Sequence, residues 1–434
     1  MRKNMGKKNK KSSFIVDLGL SHIKIKAVKQ DDYGDYHIYV SCTAIKAECH
    51  KCGKEISSAH GHCLESVIEH LPIFDQRVFI HVKWPRFKCP YCDKNPSTSF
   101  KPSWLGDNGQ QTIQYENYCL KCLINSTIKD VAEKSKTTED VIEGILLRRV
   151  NTDINWNSLS PTRIGLDEIA LRKGHKQYLT IISDISVASN VKILGVIKGR
   201  KKDDILPFLN NIPKDILLSL EAITIDMSAS YFPALKEIID NIDVFNQIVT
   251  IDRFHIAKLL GDKVDKERKK VVKQLKEKYE NNEDKLNKIK NTMWPFRHHA
   301  KDLSEEEEIC LNDLFDMAPS LKQCYDLRES LYDIFESKLS KEKAAEEIDE
   351  WIDLAKKYET KGHNPFKSFI ETYKTYKPNI LNYFVHRCSS GPVEGLNNKI
   401  KVIKRRGYGF RNIMNFAKRV FLDINLKPLL IPTS

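Results

Sequence analysis

The chain has 434 residues, 41% hydrophobic and 30% charged, with only 18 Gly and 16 Pro. This composition excludes collagen-like and low-complexity character and gives enough apolar side chain for about three domains with cores of their own. Lys and Arg number 71 against 58 Asp and Glu, a net charge of +13 that points to a polyanionic partner, above all nucleic acid.

No apolar run approaches the ~20 residues of a membrane span. The longest early run, residues 14–20, is broken by Asp17, and no small-residue cleavage site follows it. The expectation is a cytoplasmic protein, nucleoid-associated through DNA, with no membrane contact. Eleven cysteines, an odd number in a cytosolic chain, favour thiolate metal binding over a disulfide framework.

In chain order, residues 1–12 carry six cations and no acid and read as a basic arm. Short strand-like runs follow at Phe14-Ile-Val16 and Ile23–Val28, completing a first segment, 1–47. Asp17-Leu-Gly19 resembles the first phosphate loop of sugar-kinase-like ATPases, but the loop's second Gly and its Thr are missing. Segment 48–100 is expected to be a zinc-finger-like domain. It holds Cys49-His-Lys-Cys52 and Cys89-Pro-Tyr-Cys92, 36 residues apart, and a strand over 77–88 runs into the second pair. Two-residue spacing lets both thiolates of a knuckle reach one Zn²⁺ at about 2.3 Å. Cys49, Cys52, Cys89 and Cys92 are therefore the expected ligands of one structural zinc ion, with His50, His60, His62 and Cys63 as spare donors nearby. Cys119-Leu-Lys-Cys122 lies inside a helical pattern without a partner pair and reads as buried thiols.

Segment 101–155 is expected to hold a helix-turn-helix DNA-binding domain. Ile128, Val131 and Ala132 share one helical face. A polar break at Ser135-Lys-Thr137 follows, and Thr138 stands as the N-cap of a second helix with Val141, Ile142, Ile145 and Leu146. Beyond an Asn/Ser-rich linker, segment 160–260 has strand patterns at 163–170, 178–185, 191–197, 222–225 and 247–251 and helix patterns at 203–211 and 232–242. That order is the order of an RNase H-like fold. Residues 262–361 contain no Gly and repeat apolar residues at helical spacing, the mark of an all-α insertion (261–387). The last segment, 388–434, is read as the C-terminal helical part of the core with a basic patch. The expected fold class is thus multidomain α/β: an RNase H-like core interrupted by helices, preceded by zinc-binding and helix-turn-helix regions.

Three acids stand out by context. Asp167 and Asp226 each end an apolar strand pattern, and Glu394 opens a helix. Carboxylates converging from adjacent strand ends and a flanking helix are what two Mg²⁺ (or Mn²⁺) ions need for in-line phosphoryl transfer. From Lys399 to Arg419 there are eight cations and no acid, beginning beside Glu394. Lys399, Lys401, Lys404, Arg405, Arg406 and Arg411 are the expected DNA-phosphate contacts.

These residues resemble bacterial insertion-sequence transposases of the DDE type, specifically the ISL-three family. The resemblance runs over nearly the whole chain. It rests on Trp84-Pro-Arg-Phe-Lys-Cys-Pro-Tyr-Cys92, Gly165-Leu-Asp-Glu168, Thr224-Ile-Asp-Met-Ser228, Val249-Thr-Ile-Asp-Arg-Phe-His-Ile256 and, above all, Glu394-Gly-Leu-Asn-Asn-Lys-Ile-Lys followed by Lys404-Arg-Arg-Gly-Tyr-Gly-Phe-Arg411. It implies Asp167, Asp226 and Glu394 as catalytic metal ligands, with Glu168, Asp252 and His255 as supporting residues. The spacings of 59 and 168 residues imply an insertion before the Glu-bearing helix. The implied activity is metal-dependent cleavage and strand transfer at terminal inverted repeats of double-stranded DNA, by a dimer or larger assembly. The rival expectation is a sequence-specific DNA-binding protein without catalysis, a regulator or decayed transposase. A nuclease or Holliday-junction enzyme on the same core rests on fold analogy alone.

Overall fold

The computed structural model of the chain describes residues 17–170, 177–227, 230–358, 363–387, 391–407, 410 and 412–430. The basic arm, Phe14–Val16 and Arg411 lie outside them. The chain forms two compact units, one from residues up to Asn151 together with those from Arg406 onward, the other from Thr152 to Arg405.

The first unit opens with β1 (Ile23–Gln30) and β2 (Tyr36–Cys42). The short β3 (Ala47–Glu48) and β4 (Glu55–Ile56) pair with each other. A long hairpin follows, β5 (Ser58–Ile73) and β6 (Gln76–Lys88), and then β7 (Ser97–Ser99). Phe74 and Asp75 both take positive φ between paired Ile73 and Gln76, the two-residue turn whose twist suits a hairpin. β2 pairs in parallel with β6, so the sheet runs β1-β2-β6-β5 with β7 on β6. Alternation sends Ile38, Val40, Val78, Ile80, Val82 and Trp84 into the core and leaves His37, Tyr39, Phe79 and His81 on the other face. The apportionment thus differs from the expected split at residue 47: β1 and β2 share a sheet with the hairpin that carries the second cysteine pair.

Three helices follow: α1 (Ile113–Leu123), α2 (Ile128–Lys134) and α3 (Glu139–Arg149). Thr112, Thr127 and Thr138 cap them, each accepting a backbone N–H. Ile142, Ile145 and Leu146 are buried, as the sequence pattern requires. Arg148 donates to Oε1 of the buried Glu116 at 2.9 Å, and Arg149 lies 3.5 Å from the other oxygen.

The second unit begins with an antiparallel meander, β8 (Arg163–Ala170), β9 (Tyr178–Asp184) and β10 (Lys192–Lys198). After α4 (Lys202–Leu209) and α5 (Lys214–Ser219), β11 (Ala222–Ile225) returns parallel to β8. After α6 (Tyr231–Ile238) and α7 (Ile242–Ile248), β12 (Val249–Ile251) lies parallel to β11. The sheet order is β10-β9-β8-β11-β12. The fifth strand is shorter than the expected 247–251, and the helix expected over 232–242 stops at Ile238. The cause is local: the Asn241 side chain accepts from the N–H groups of Asp243 and Val244 and starts a new helix.

The helical block comprises α8 (Arg253–Lys278), α9 (Glu283–Ile289), α10 (Met293–Arg297), α11 (Glu305–Met317), α12 (Pro319–Glu336), α13 (Lys341–Lys357) and α14 (Lys367–His386). It shares one apolar core with the sheet, running from Ile164 to Phe384. α15 (Gly391–Arg406) ends this unit.

α16 (Ile413–Phe421) belongs to the first unit, whereas the sequence reading kept everything after 388 with the catalytic core. Its cations are answered there. Arg419, 4% exposed, donates to the carbonyls of Leu123 and Ser126 at 3.0 and 2.9 Å. Lys418 donates to the carbonyls of Leu147 and Val150, and Asn415 to Glu143.

Candidate catalytic centre and zinc site

Register builds the acidic site. In the parallel pair, Thr224 lies opposite Gly165, and on the other side Ile225 lies opposite Ile251. Two residues beyond Thr224 and Gly165 stand Asp226 and Asp167, and one residue beyond Ile225 and Ile251 stand Asp226 and Asp252. Adjacent strands are about 4.8 Å apart, so three acids lie in a row across one sheet edge. Asp252 then caps α8, its Oδ1 accepting from Phe254 N–H at 2.9 Å, and the first helical turn brings His255 back over the row. One ligand atom each from Asp167, Asp226 and His255 lies within 4.8 Å of the others. Ligands about 2.1 Å from a shared cation stand no more than about 4.2 Å apart, so this donor set fits a divalent ion with small adjustment. Asp252 is 7% exposed; burial raises its carboxyl above the usual range, opposed by the Phe254 N–H and by His255. Its cap bond orients the turn that presents His255.

Glu168 points elsewhere. Both its carboxylate oxygens accept from Arg200 at 3.1 Å, and that guanidinium lies 3.9 Å over the Tyr178 ring.

Glu394 sits exposed in the first turn of α15 and is not in the 4.8 Å group. Its helix is nonetheless registered against β8. Val393 packs on Gly165, Asn397 Nδ2 donates to Asp167 Oδ2, and Lys404 Nζ donates to Ala170 O at 2.9 Å. Eleven residues of helix and five of strand both span about 16.5 Å, so the two elements run in step. Asn397 is one turn from Glu394 on the same helix. Sequence reading missed the Asn397 contact; the signal was its i+3 spacing from Glu394.

The four expected zinc ligands come together. Cys49 and Cys92 Sγ atoms are 4.0 Å apart, Cys52 and Cys89 3.7 Å, and all four lie within 4.8 Å. Tetrahedral Zn²⁺ at about 2.3 Å from each sulfur sets S···S near 3.8 Å, whereas a disulfide needs about 2.05 Å. Each knuckle closes with a left-handed residue, Gly53 (φ 69°) in one and Lys94 with Asn95 in the other. N–H groups of Cys52 and Lys51 hold the Cys49 thiol down at about 6, while its thiol neighbours, Cys52 first, push Cys92 up to about 12. Two of the spare donors are engaged elsewhere, His50 with Thr98 Oγ1 at 2.8 Å and Cys63 with Ser99 Oγ at 3.0 Å.

Comparison with known proteins gives the family. A transposase family of the DDE, ISL3 type matches residues 164–420, more than half of the chain. The chain belongs to that transposase family. It is 26% identical over 387 residues to the transposase for insertion sequence element IS1001 of Bordetella parapertussis, covering 88% of this chain and 90% of that one. It is 21% identical over 408 residues to the transposase for IS1557 of Mycobacterium tuberculosis, covering 88% of each. A match of 57 residues, 40% identical, to a Lactococcus lactis protein named as an ATP-dependent protease covers only 13% of the chain.

In this transposase no helix among the described residues is long and apolar enough to cross a membrane. The expected DNA contacts divide by surroundings. Glu394, Asn398, Lys401 and Arg405 recur at helical spacing along the exposed stripe of α15. Lys404 is half-buried on Ala170, with burial lowering its ammonium, and Arg406 donates to Asn125 Oδ1 at 2.7 Å. Lys399 is exposed on the same helix.

Gly165 is the point at which strand and helix touch. A Cβ there would meet Ser183 Oγ at 3.3 Å and Val393 Cγ2 at 3.4 Å. Gly165→Val is expected to lift α15 and cost about 1–3 kcal/mol of stability. Cleavage should fall further than DNA binding, read by thermal unfolding beside a cleavage assay and a mobility shift. Unchanged cleavage would mean that the α15 register does not matter.

Proposed function

We propose that this transposase cuts and joins DNA at an RNase H-like core whose metal ligands are Asp167, Asp226 and Glu394, with His255 added to the set. The row of acids created by the β8–β11–β12 register carries the reading. The sheet order β10-β9-β8-β11-β12, with a helical block before the Glu-bearing helix, supports the core assignment. Divalent cations, two Mg²⁺ or Mn²⁺ in this reading, supply Lewis acidity at the scissile phosphate and a nucleophilic water at neutral pH.

The chain's own residues position the reactants. Asp167 and Asp226 face the phosphate from adjacent strands, His255 closes the site from α8, and Asn397 keeps the Glu394 helix against Asp167. Water attacks phosphorus, the P–O3′ bond breaks, and the element end keeps a 3′-hydroxyl. That hydroxyl then attacks a phosphodiester of the target, whose own 3′-oxygen leaves. Neither step needs a protein nucleophile. Lys401 and Arg405, on the stripe that begins at Glu394, hold backbone phosphates on the way in. The zinc-binding sheet and the helix-turn-helix of the first unit recognise the terminal inverted repeats. Two ends must be joined together, which calls for at least a dimer in the active complex.

The test is an end-joining assay. Purified wild type and Glu394→Gln are incubated with labelled element-end DNA and Mg²⁺ or Mn²⁺. Metal-dependent cleavage and joining by wild type alone is the expected result. Specific binding without cleavage by either protein would make the chain a DNA-binding protein only. Equal cleavage by both would remove Glu394 from the ligand set.

A further inference from the structure

A cleft of about 1020 Å³ opens within the helical block of the second unit. One wall is a single face of α8, with Phe254, Lys258 and Gly261 at successive turns; the opposite wall carries Trp294 and Arg297 of α10 and Tyr332 of α12. Two of its lining residues, Arg253 and Phe254, lie in the chain between Asp252 and His255, and the Phe254 ring stands edge-on to the His255 ring with centroids 5.6 Å apart.

The cleft is a prepared surface. Trp294 is 60% exposed and Phe254 49%, although both stand beside a core that could have taken them. Exposed aromatic rings rimmed by charge mark a ligand site. Arg297 lies 5.5 Å over the Trp294 ring and is itself fixed by two hydrogen bonds to Asp265, at 2.7 and 3.2 Å. The floor is kept clear by Gly261. A Cβ there would stand 3.3 Å from Tyr332 Oη, and that hydroxyl is held by its bond to Ala257 O at 3.0 Å. Four lining residues, Arg253, Lys258, Arg297 and Arg328, are cationic against two acids, Asp262 and Asp265. Lys258 is exposed and has no acidic partner among the described residues.

We infer that this cleft receives an unpaired nucleotide of the DNA strand lying next to the scissile phosphate. The base stacks on the exposed part of the Trp294 ring, with Arg297 beside it, and Lys258 meets the adjoining phosphate. Stacking platforms of this kind accept any base, because every base has a π-face. The size fits one or two nucleotides and excludes a duplex, since clefts of 300–1,000 Å³ hold ligands of small-molecule dimensions. The consequence is that the transposase unpairs DNA beside its cut and stores the freed nucleotide. The inference rests on the catalytic reading above for the position of the phosphate, but not for the stacking itself.

The test is direct binding without metal. Trp294 is the most exposed of the five tryptophans, with Trp84, Trp104 and Trp351 at 6% or less and Trp156 partly buried, so intrinsic fluorescence reports on it. Wild type, Trp294→Ala and Trp294→Phe are titrated against fluorescein-labelled single-stranded dT8 and a labelled blunt duplex of eight base pairs, with binding by all three read by anisotropy. The fold of each variant is checked by thermal unfolding, which an exposed ring should leave unchanged. The expected result is quenching of wild type by dT8, roughly tenfold weaker dT8 binding by Trp294→Ala, a smaller loss for Trp294→Phe, and duplex affinity unchanged within about twofold. A 2-aminopurine in place of one thymine should be quenched by wild type and not by Trp294→Ala. Equal dT8 binding by wild type and Trp294→Ala, or no dT8 binding by wild type, would overturn the inference. Asp167→Asn is titrated in parallel and assayed separately for cleavage of element-end DNA with Mg²⁺ or Mn²⁺. If it cleaves DNA as wild type does, the catalytic reading fails while the dT8 result stands or falls on its own.

Discussion

Asp226→Asn is expected to abolish metal-dependent DNA cleavage while leaving DNA binding and thermal stability close to wild type. The change is isosteric, and Asp226 is partly exposed at a strand end, so the fold has little stake in its charge. The site has a large stake. Asp226 sits between Asp167 and Asp252 in the row set by strand register, and it shares the 4.8 Å group with Asp167 and His255. Removing one anionic ligand costs several kcal/mol of transition-state charge stabilisation, and about 4 kcal/mol is about a thousandfold in rate. His255 predicts a finer effect. An imidazole nitrogen suits transition metals, whereas Mg²⁺ takes oxygen. His255→Asp should therefore raise the Mg²⁺-supported rate relative to the Mn²⁺-supported one, and His255→Ala should lower both. Cleavage rates in the two metals, beside mobility shifts and melting curves, check these outcomes. Full cleavage by Asp226→Asn would remove the acid row from the chemistry.

The components of that site were legible in the sequence, but their alignment was not. Strands β8 and β11 fall where expected; β11 stops where its apolar run meets Asp226, whereas β8 runs on past Asp167 and Glu168 to Ala170. Parallel pairing of segments 59 residues apart is a tertiary outcome, and the pairing is what lines up Asp167, Asp226 and Asp252. Asp252 and His255 were readable only through the resemblance of their motif, because a cap followed by one helical turn has no periodicity of its own. The first unit was harder. Strand β5 is rich in His, Ser and Glu over its exposed half, so nothing marked it as the partner of β6. Arg419 stood last in a run of eight cations read as a basic patch for a polyanionic substrate. Its burial depends on the carbonyls of Leu123 and Ser126, nearly 300 residues earlier in the chain. A cation that satisfies the carbonyls at a helix end looks the same in sequence as one that meets phosphate.

Cys89→Ser is expected to release zinc and lower the melting midpoint of the first unit by about 10 °C or more, without moving the second unit's transition. The zinc knuckles have almost no core of their own. Their buried cluster is Cys49, Ile56, Phe87 and Cys89. Burying Ile56 and Phe87 contributes about 1.5–3 kcal/mol each, while ordering each residue of the two loops costs about 1–2 kcal/mol of backbone entropy. The loops therefore depend on metal, and structural zinc supplies folding free energy directly. For a unit of this size each kcal/mol lost moves the midpoint by about 2–4 °C. Binding also has a pH dependence of defined sign. Burial raises the Cys89 thiol and its thiol neighbours raise Cys92, so both must give up protons to bind metal. Affinity should rise with pH and fall on acidification. Metal content by atomic absorption, with melting curves for wild type, Cys89→Ser and chelator-treated protein, checks both statements. Retention of one equivalent of zinc by Cys89→Ser with an unchanged melt would show that the ion is held by other residues.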